Sequence, residues 1–417
     1  MATLSPELDR QTRDHHGPLS AIDTSDAMIY AADAWRPMFA RLRAEAPVHF
    51  QPDSPFGGFW SVSRHADIQA VEARPDIFSS DMKYGGITVL DQVGEINRPQ
   101  FIAADRPYHG EQRRVIAPAF GPSEMAKMAE AIRLRTAQLL DTLPIGEEFN
   151  WVERVSIPLT TDMLAILFDF PWADRHLLTF WSDIAGDIEA ALNPETAAQT
   201  VQHGRDMLAY FDRLFAERKA LPPTTDLISM MVHSESMGNM PDQERIGNLI
   251  LLIVGGNDTT RNTMSGAVAA FDRYQDQWQK LIADPGKVAG AVPEIIRWQT
   301  PLAHMRRTCV ADSEIAGQPV KKGDKIVMWY LSGNRDESVF PDAERLDIER
   351  PNARRHLAFG FGVHRCVGAR LAELQIQILL EEMLKRQMTV RITGTPVHVV
   401  QCFVHGYSDL PATIERH

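Results

Sequence analysis

The clearest pattern of apolar and polar positions in this chain lies between Pro241 and about Tyr274. Apolar side chains recur there in two groups, at Ile246, Leu249, Ile250, Ile253 and Val254, and again at Met264, Ala267, Val268 and Phe271. This spacing is typical of a helix that turns one face to the core. The groups begin 18 positions apart, which is about five helical turns, so both lie on one face. The pattern predicts a single long helix.

A segment without large apolar side chains, from Gly255 to Thr263, interrupts this helix. Two adjacent glycines weaken a helix by about 1 kcal/mol each relative to alanine, and threonine hydroxyls compete for backbone carbonyls. The segment is compatible with two shorter helices joined by a loop, or with one helix that opens locally beside a ligand. In the second interpretation, Asp258 and Thr259 form a buried acid–alcohol pair suited to proton transfer.

The rest of the chain predicts a mainly α fold with small β-sheets. Helical patterns occur over 123–143 and 197–219, whereas strand patterns are concentrated near residues 45–64, 307–331 and 389–417. Neither an internal repeat nor a linker-like segment divides the sequence. We therefore predict one integrated domain that covers residues 1–417.

Composition narrows the class of protein. Among 417 residues, 43 are basic and 55 acidic, which gives a net charge of −12 and counts against non-specific binding of nucleic acid. The longest strongly apolar run covers only residues 249–254, far short of the ~20 residues that a bilayer span needs. The N-terminal residues also have no apolar signal-peptide segment. We expect a cytoplasmic protein without a membrane anchor.

Candidate chemistry centres on one of the three cysteines, Cys366, because Cys309 and Cys402 lie far from it and make no ligand motif. Three glycines and two phenylalanines surround Cys366 between Phe359 and Gly368. Glycine permits tight turns and close approach to a flat ligand. A helix predicted from about Arg370 should lower the thiol pKa through its dipole.

A lone thiolate does not fit zinc or iron–sulfur sites, which usually need three or four clustered ligands. A single thiolate is sufficient where a macrocycle supplies the equatorial ligands of the metal, as in haem. The alternative is a structural cysteine in a glycine-rich turn, which the surrounding pattern disfavours.

The stretch FGFGVHRCVGARLA, from Phe359 to Ala372, resembles the haem-binding signature of the cytochrome P-450 family of haem-thiolate monooxygenases. GGNDTT, from Gly255 to Thr260, resembles the oxygen-activating segment of that family's central helix. The resemblance implies the cytochrome P-450 fold, with the long helix over haem b and Cys366 as the iron ligand. It also implies that Phe359, Gly360 and Gly368 shape the cofactor loop and that Asp258 and Thr259 deliver protons.

Further matches carry over other site residues. His109, Arg113, Arg307 and His364 match residues that bind the haem propionates, with Arg306 an alternative to Arg307. The resemblance also implies a buried triad of Glu294, Arg297 and Arg345, for which Arg350 is an alternative third member. The substrate pocket it implies is lined by Ile87, Val89, Leu90, Leu251, Val254, Gly255, Leu302, Met305, Phe403 and Val404.

The segments 251–266 and 328–337 are similar to bacterial alkane and fatty-acid terminal hydroxylases. This similarity implies insertion of one oxygen atom from O2 at the end of a medium-chain alkyl substrate. A steroid or terpene hydroxylase of the same family is the alternative. From other classes, a haem peroxygenase and a non-catalytic haem sensor stay open, although neither needs Asp258 and Thr259.

About 50 residues follow Cys366, so we expect electrons to come from separate proteins. The resemblance implies a ferredoxin and its NAD(P)H-dependent reductase. A basic face on the cysteine side is predicted to attract an acidic ferredoxin, and its candidate residues are Arg113, Arg114, Arg354, Arg355, Arg365 and Arg370.

Overall fold

The protein is described from a computed structural model over residues 17–91, 98–186 and 194–416. The N-terminal segment that was searched for a signal peptide, and the last residue of the C-terminal strand region, lie outside these ranges. Fourteen α-helices occur within the described residues, in agreement with the predicted mainly α fold. They are α1 Ala27–Ala31, α2 Trp35–Glu45, α3 His65–Glu72, α4 Tyr108–Ile116, α5 Pro122–Leu140, α6 Ile157–Phe168, α7 His176–Gly186, α8 Pro194–Lys219, α9 Leu227–Val232, α10 Asp242–Arg273, α11 Gln275–Ala283, α12 Val288–Gln299, α13 Tyr330–Gly333 and α14 Ala369–Lys385.

The strands form small sheets at the side of the helical body. They are β1 Val48–Gln51, β2 Phe59–Val62, β3 Phe78–Ser79, β4 Phe149–Asn150, β5 His304–Cys309, β6 Ser313–Ile315, β7 Gln318–Val320, β8 Lys325–Trp329, β9 Met388–Ile392, β10 Val397–His398, β11 Tyr407–Asp409 and β12 Pro411–Arg416. The largest sheet has the order β1-β2-β8-β5-β3, and a three-stranded sheet has the order β4-β12-β9. The short strands β3 and β4 lie outside the three predicted regions, because two residues give no readable alternation.

Helix α10 runs unbroken through the polar segment, so the two-helix alternative is wrong. Its two apolar groups pack into different core clusters. Leu249 and Ile253 belong to the first, with α4 to α9, and Val268 and Phe271 belong to the second, with α12 and α14. The polar segment therefore crosses the middle of the molecule between two apolar cores.

The paired glycines of α10 have different roles. A methyl group added at Gly256 would lie 2.7 Å from Leu164 Cδ2 on α6, so this glycine allows two helices to pack closely. A methyl group added at Gly255 would meet nothing within 4 Å, and Gly255 is exposed although Ile253 and Asn257, two positions before and after it, are buried. Exposed backbone in the middle of a buried helix indicates an internal space beside α10.

Candidate active site

The Cys366 loop leads directly into α14. Gly360 and Gly362 have φ values of +67° and +68°, which side chains other than glycine rarely adopt. The backbone N–H of Cys366 then donates to the Phe359 carbonyl at 2.8 Å and closes the loop. The backbone of Gly368, which caps α14, and of Ala369, its first residue, acts on the sulfur and lowers the thiol pKa by hydrogen bonding.

The net effect on the thiol differs from the sequence expectation. Desolvation raises the pKa of Cys366, and this outweighs the lowering by the two amides, Arg113 and Arg365. The predicted helix-start effect is thus present but smaller than the cost of burying a charge. The thiol also keeps accessible surface, so it is enclosed by protein and still open to a ligand.

Two histidines from different elements meet beside this loop. The rings of His109, on α4, and His364, just before Cys366, have centroids 4.2 Å apart. His109 Nε2 and His364 Nδ1 are buried without a hydrogen-bond partner. Desolvation and nearby arginines lower the pKa of His109 to about 4 and of His364 to about 2. Both rings are neutral near pH 7 and have free hydrogen-bonding capacity.

Three arginines surround this histidine pair. The charges of Arg106, Arg113 and Arg307 all act on the two rings. The Arg113 guanidinium also donates to the Arg365 carbonyl at 2.6 Å. The three guanidinium groups and the unpartnered histidine nitrogens together form a site for an anion with several acceptor oxygens. Arg106 was missed in the sequence, since nothing marks it apart from other charged loop residues.

The structure places the side chains of Arg306 and Arg307 in different surroundings. Strand β5 alternates its side chains, so these neighbours point to opposite faces. Arg306 pairs with Asp91 and donates to the Tyr84 carbonyl, and thereby holds the 84–91 loop. Arg307 instead lies near the histidine pair, where its charge affects both rings.

A buried acid that sequence analysis missed lies behind Arg307. Glu72, at the end of α3, accepts a hydrogen bond from Tyr330 Oη at 2.6 Å and pairs with Arg307 at 3.3 Å. Burial raises the pKa of Glu72, and Arg307, Tyr330 and the nearby Phe361 backbone act against this rise. Glu72 therefore connects the Cys366 loop to the anion site. A single Glu at a helix end carries no sequence signal of this kind.

The acid and alcohol of α10 are not in contact. Asp258 is buried and accepts from Ser182 Oγ on α7 at 2.9 Å and from Arg261 at 3.0 Å. Desolvation raises the pKa of Asp258. Thr259 Oγ1 instead donates to the Gly255 carbonyl at 2.9 Å, at the exposed part of the helix. Residues one apart on a helix do not face each other, and the predicted pair is separated accordingly.

Of the predicted triad, the structure brings Glu294 and Arg297 together, and it places Arg350, the alternative third member, rather than Arg345 beside them. Arg297 donates to both oxygens of Glu294, at 2.7 and 2.8 Å. The third member is Arg350, whose Nε lies 3.1 Å from both oxygens. The Arg345 side chain points outward to Asp276. Only the Arg345 backbone takes part, because its carbonyl accepts from Arg297 and Arg350.

The structure joins three of the four predicted pocket segments. The Arg306 N–H donates to the Ile87 carbonyl at 2.7 Å, and the Ala303 N–H donates to the Phe403 carbonyl at 2.8 Å. Leu302 and Val404 form an isolated β-bridge. Leu90, Leu302 and Met305 keep some accessible surface, as do Leu251, Val254 and Gly255 on α10. Val89, Phe403 and Val404 are buried and belong to the same core cluster.

His304, which was not predicted, holds two of these walls. It is fully buried, accepts from the Val89 N–H at 3.2 Å and donates to the Cys402 carbonyl at 2.9 Å. Burial lowers its pKa to about 4, so the ring is neutral and has one donor and one acceptor nitrogen. Only the tautomer with the proton on Nδ1 makes both hydrogen bonds. It holds the loops that contain Val89 and Cys402 against β5.

The fold and the Cys366 loop define the class of haem-thiolate proteins, and comparison with known proteins agrees. Residues 190–391 match the family model described as Cytochrome P450. The chain is 36% identical over 400 residues to linalool 8-monooxygenase from Pseudomonas putida, which covers 93% of this chain and 97% of that relative. It is 32% identical over 426 residues to the methyl-branched lipid omega-hydroxylase of Mycobacterium bovis, with 96% and 98% covered.

Among solved structures, cytochrome P450-153 from Novosphingobium aromaticivorans is 53% identical, with a TM-score of 0.90 over 94% of this chain and 99% of that one. The chain therefore belongs to the cytochrome P450 family and is a monooxygenase. Within the described residues, no helix has the length and apolar character needed to cross a membrane.

The cofactor of this family is haem b, and the residues of this chain fit it. Cys366 offers an enclosed, accessible sulfur as the iron ligand. The unpartnered nitrogens of His109 and His364, with the neighbouring arginine charges, suit the two propionates. A methyl group at Gly368 would lie 4.0 Å from the sulfur and 3.7 Å from Phe120. Because Gly368 has no side chain, this space beside the sulfur stays free.

Proposed function

We propose that this monooxygenase hydroxylates the terminal carbon of medium-chain alkyl substrates, either alkanes or fatty acids. The observation that carries the proposal is the accessible strip of α10 at Leu251, Val254 and Gly255, which is apolar and ends at the Thr259 hydroxyl. The 32% identity to a methyl-branched lipid omega-hydroxylase supports oxidation at a chain end.

Bound haem b supplies the activation of O2 and the oxidation of the C–H bond. This chain supplies the ligand sulfur, a water-poor apolar wall and the protons. We propose that Thr259 Oγ1 passes protons at the exposed part of α10 and that Asp258 takes them up from the α7 side. Because Asp258 is held by Ser182 and Arg261, its carboxyl group must turn away from them to reach Thr259.

A terpene or steroid hydroxylase is the second candidate. It is favoured by the 36% identity to linalool 8-monooxygenase, which is above that to the lipid hydroxylase. Both candidates need an apolar pocket and the same proton route. They differ in the shape of substrate that the walls at 87–90, 302–305 and 403–404 accept.

We also propose that a ferredoxin and its NAD(P)H-dependent reductase donate the electrons, in the cytoplasm. Arg114, Arg354, Arg355, Arg365 and Arg370 are exposed, as an acidic partner requires. The contact would lie on the Cys366 side of the molecule.

The substrate class is tested by titrating the purified haem protein with alkanes, fatty acids, terpenes and steroids of graded size, while the haem spin state is recorded. We expect saturable shifts with medium-chain alkyl compounds and terminal alcohols as products with NADH, ferredoxin and reductase. Tight shifts and turnover with terpenes or steroids alone would select the second candidate. Turnover with peroxide but not with the electron donors would reject the monooxygenase route.

The ligand assignment has its own control. The reduced protein with carbon monoxide should show the red-shifted Soret band of thiolate ligation. Cys366→Ala should abolish this band, whereas Cys309→Ala should keep it. A band that survives in Cys366→Ala would remove the basis of the proposal.

A further inference from the structure

A second group of ligand-type side chains lies outside the active site. Asp33 follows α1, His398 ends β10, and His405 lies just before β11. One ligand atom from each of the three lies within 4.8 Å of the others. We infer that this Asp33–His398–His405 cluster is a binding site for a divalent transition-metal ion of the zinc class.

The donor set matches that class of ion. Two imidazoles and one carboxylate are typical zinc ligands, and tetrahedral coordination holds ligand atoms about 3.4 Å apart. The three ligand atoms would therefore have to approach one another only slightly to coordinate an ion. The Asp33 side chain is 32% exposed, which gives the ion an entry path and leaves a fourth position for water.

The surroundings of the cluster resemble the outer shell of a metal site. His405 Nδ1 donates to the Gln299 carbonyl at 2.7 Å, which fixes the ring and leaves Nε2 as the atom with a free lone pair. Asp33 Oδ1 accepts from Trp35 Nε1 at 3.1 Å. Metal-binding histidines and carboxylates are usually held by such partners.

His398 supplies an independent observation. Its Nδ1 is buried without a hydrogen-bond partner, so this ring has capacity that the protein does not use. Burial lowers the pKa of His398 and brings that of His405 to about 4. Both rings are therefore neutral near pH 7, which is the form that binds metal.

One neighbour opposes the ion. The Arg36 guanidinium lies 2.8 Å from Asp33 Oδ2, and its charge offsets that of the carboxylate. We therefore expect moderate affinity and a preference for ions that favour nitrogen ligands, with no binding of Mg²⁺, which requires oxygen ligands.

The site would connect two parts of the molecule. His398 and His405 flank the loop that contains Phe403 and Val404, which are predicted pocket residues. Asp33 lies in the turn between the N-terminal helices α1 and α2. A bound ion would hold this wall against those helices, whichever substrate the pocket accepts.

The test uses the full haem protein without a polyhistidine tag, after dialysis against a chelator. Isothermal titration with ZnCl2 should show one saturable site per chain, and MgCl2 should show none. His398→Ala should weaken zinc binding by roughly tenfold or more. His176→Ala, which removes an exposed histidine outside the cluster, should leave it unchanged.

Thermal unfolding gives a second readout, because a ligand that binds only the folded state stabilises it. Zinc should raise the melting temperature of the wild type and of His176→Ala but not of His398→Ala. Asp33→Asn serves if His398→Ala fails to fold, with the same expected loss. The proposal is overturned if the wild type shows no saturable zinc site, or if His398→Ala or Asp33→Asn binds zinc as the wild type does.

Discussion

Arg350 Nε lies 3.1 Å from both carboxylate oxygens of Glu294, although the two residues are 56 positions apart in the chain. Arg350 also donates to the carbonyls of Pro341, Asp342 and Arg345. With Arg297, it surrounds a carboxylate that has no accessible surface. This buried network fixes the segment 341–350 against α12.

We predict that Arg350→Ala strongly destabilises the protein, because it leaves the buried Glu294 charge with one fewer partner. Breaking a buried ion pair typically costs about 3–5 kcal/mol. Arg345→Ala is the matched control, since it removes an exposed pair with Asp276 that is worth about 0–1 kcal/mol. Urea unfolding of both variants measures the difference. Equal losses would contradict the assignment of Arg350 as the third member.

The contrast between Arg345 and Arg350 shows what the local sequence pattern can and cannot reveal. Glu294 and Arg297 are one helical turn apart, so their contact follows from helix geometry. The third partner comes from an irregular segment, where neither spacing nor periodicity says which arginine points inward. The path of the backbone in this segment directs the Arg350 side chain toward Glu294 and the Arg345 side chain toward solvent.

The same distinction holds across the active site. The Cys366 loop and α10 were readable because their glycines, cysteine and apolar spacing are contiguous in sequence. Glu72 and His304 were not, since their partners are distant in the chain: Tyr330 lies 258 positions from Glu72, and Val89 lies 215 positions from His304. The orientation of Asp258 toward α7 depends on helix packing, which periodicity does not describe.

His304 predicts a pH dependence of stability. Its pKa is about 4 in the folded protein because of burial, against about 6.5 in an unfolded chain. Below pH 6.5 the unfolded state therefore binds a proton that the folded state does not, and stability falls until about pH 4. The loss from this one group reaches about 3 kcal/mol.

His304→Gln, which retains one donor and one acceptor, should remove that contribution. Urea unfolding of the wild type and the variant between pH 7 and pH 4.5 isolates it, because other titrating groups cancel in the comparison. The wild type should lose stability more steeply. Parallel curves would show that His304 does not stay neutral when folded.

His304 also predicts an effect on the substrate pocket. His304→Ala removes the hydrogen bonds to the Val89 N–H and the Cys402 carbonyl and frees both loops. We expect substrate affinity, read from the haem spin shift, to fall several-fold and product positions to broaden. His304→Gln should restore much of both properties. His233→Ala, a partly exposed histidine away from these loops, should change neither; unchanged affinity in His304→Ala would reject the role.

Thr259 gives a prediction on coupling. Thr259→Ala removes the hydroxyl group that we propose as the last proton donor. NADH should therefore still be consumed, while less product forms per NADH. A positioned proton donor typically contributes about 10²–10⁴-fold to its step. Thr259→Ser retains the hydroxyl and should stay coupled. Product and peroxide measured against NADH give the ratio, and full coupling in Thr259→Ala would exclude this proton route.

The exposed arginines predict the dependence of electron transfer on salt. Arg355→Glu with Arg370→Glu reverses two charges on exposed residues near the Cys366 loop in sequence. Reduction by an acidic ferredoxin should slow, because charge complementarity mainly sets the association rate. Its sensitivity to ionic strength should also fall, since salt screens these long-range charges. Arg205→Glu with Arg213→Glu, two exposed residues on α8, is the control with the same change in net charge. If stopped-flow reduction rates of the two double variants match at every salt concentration, the ferredoxin binds elsewhere.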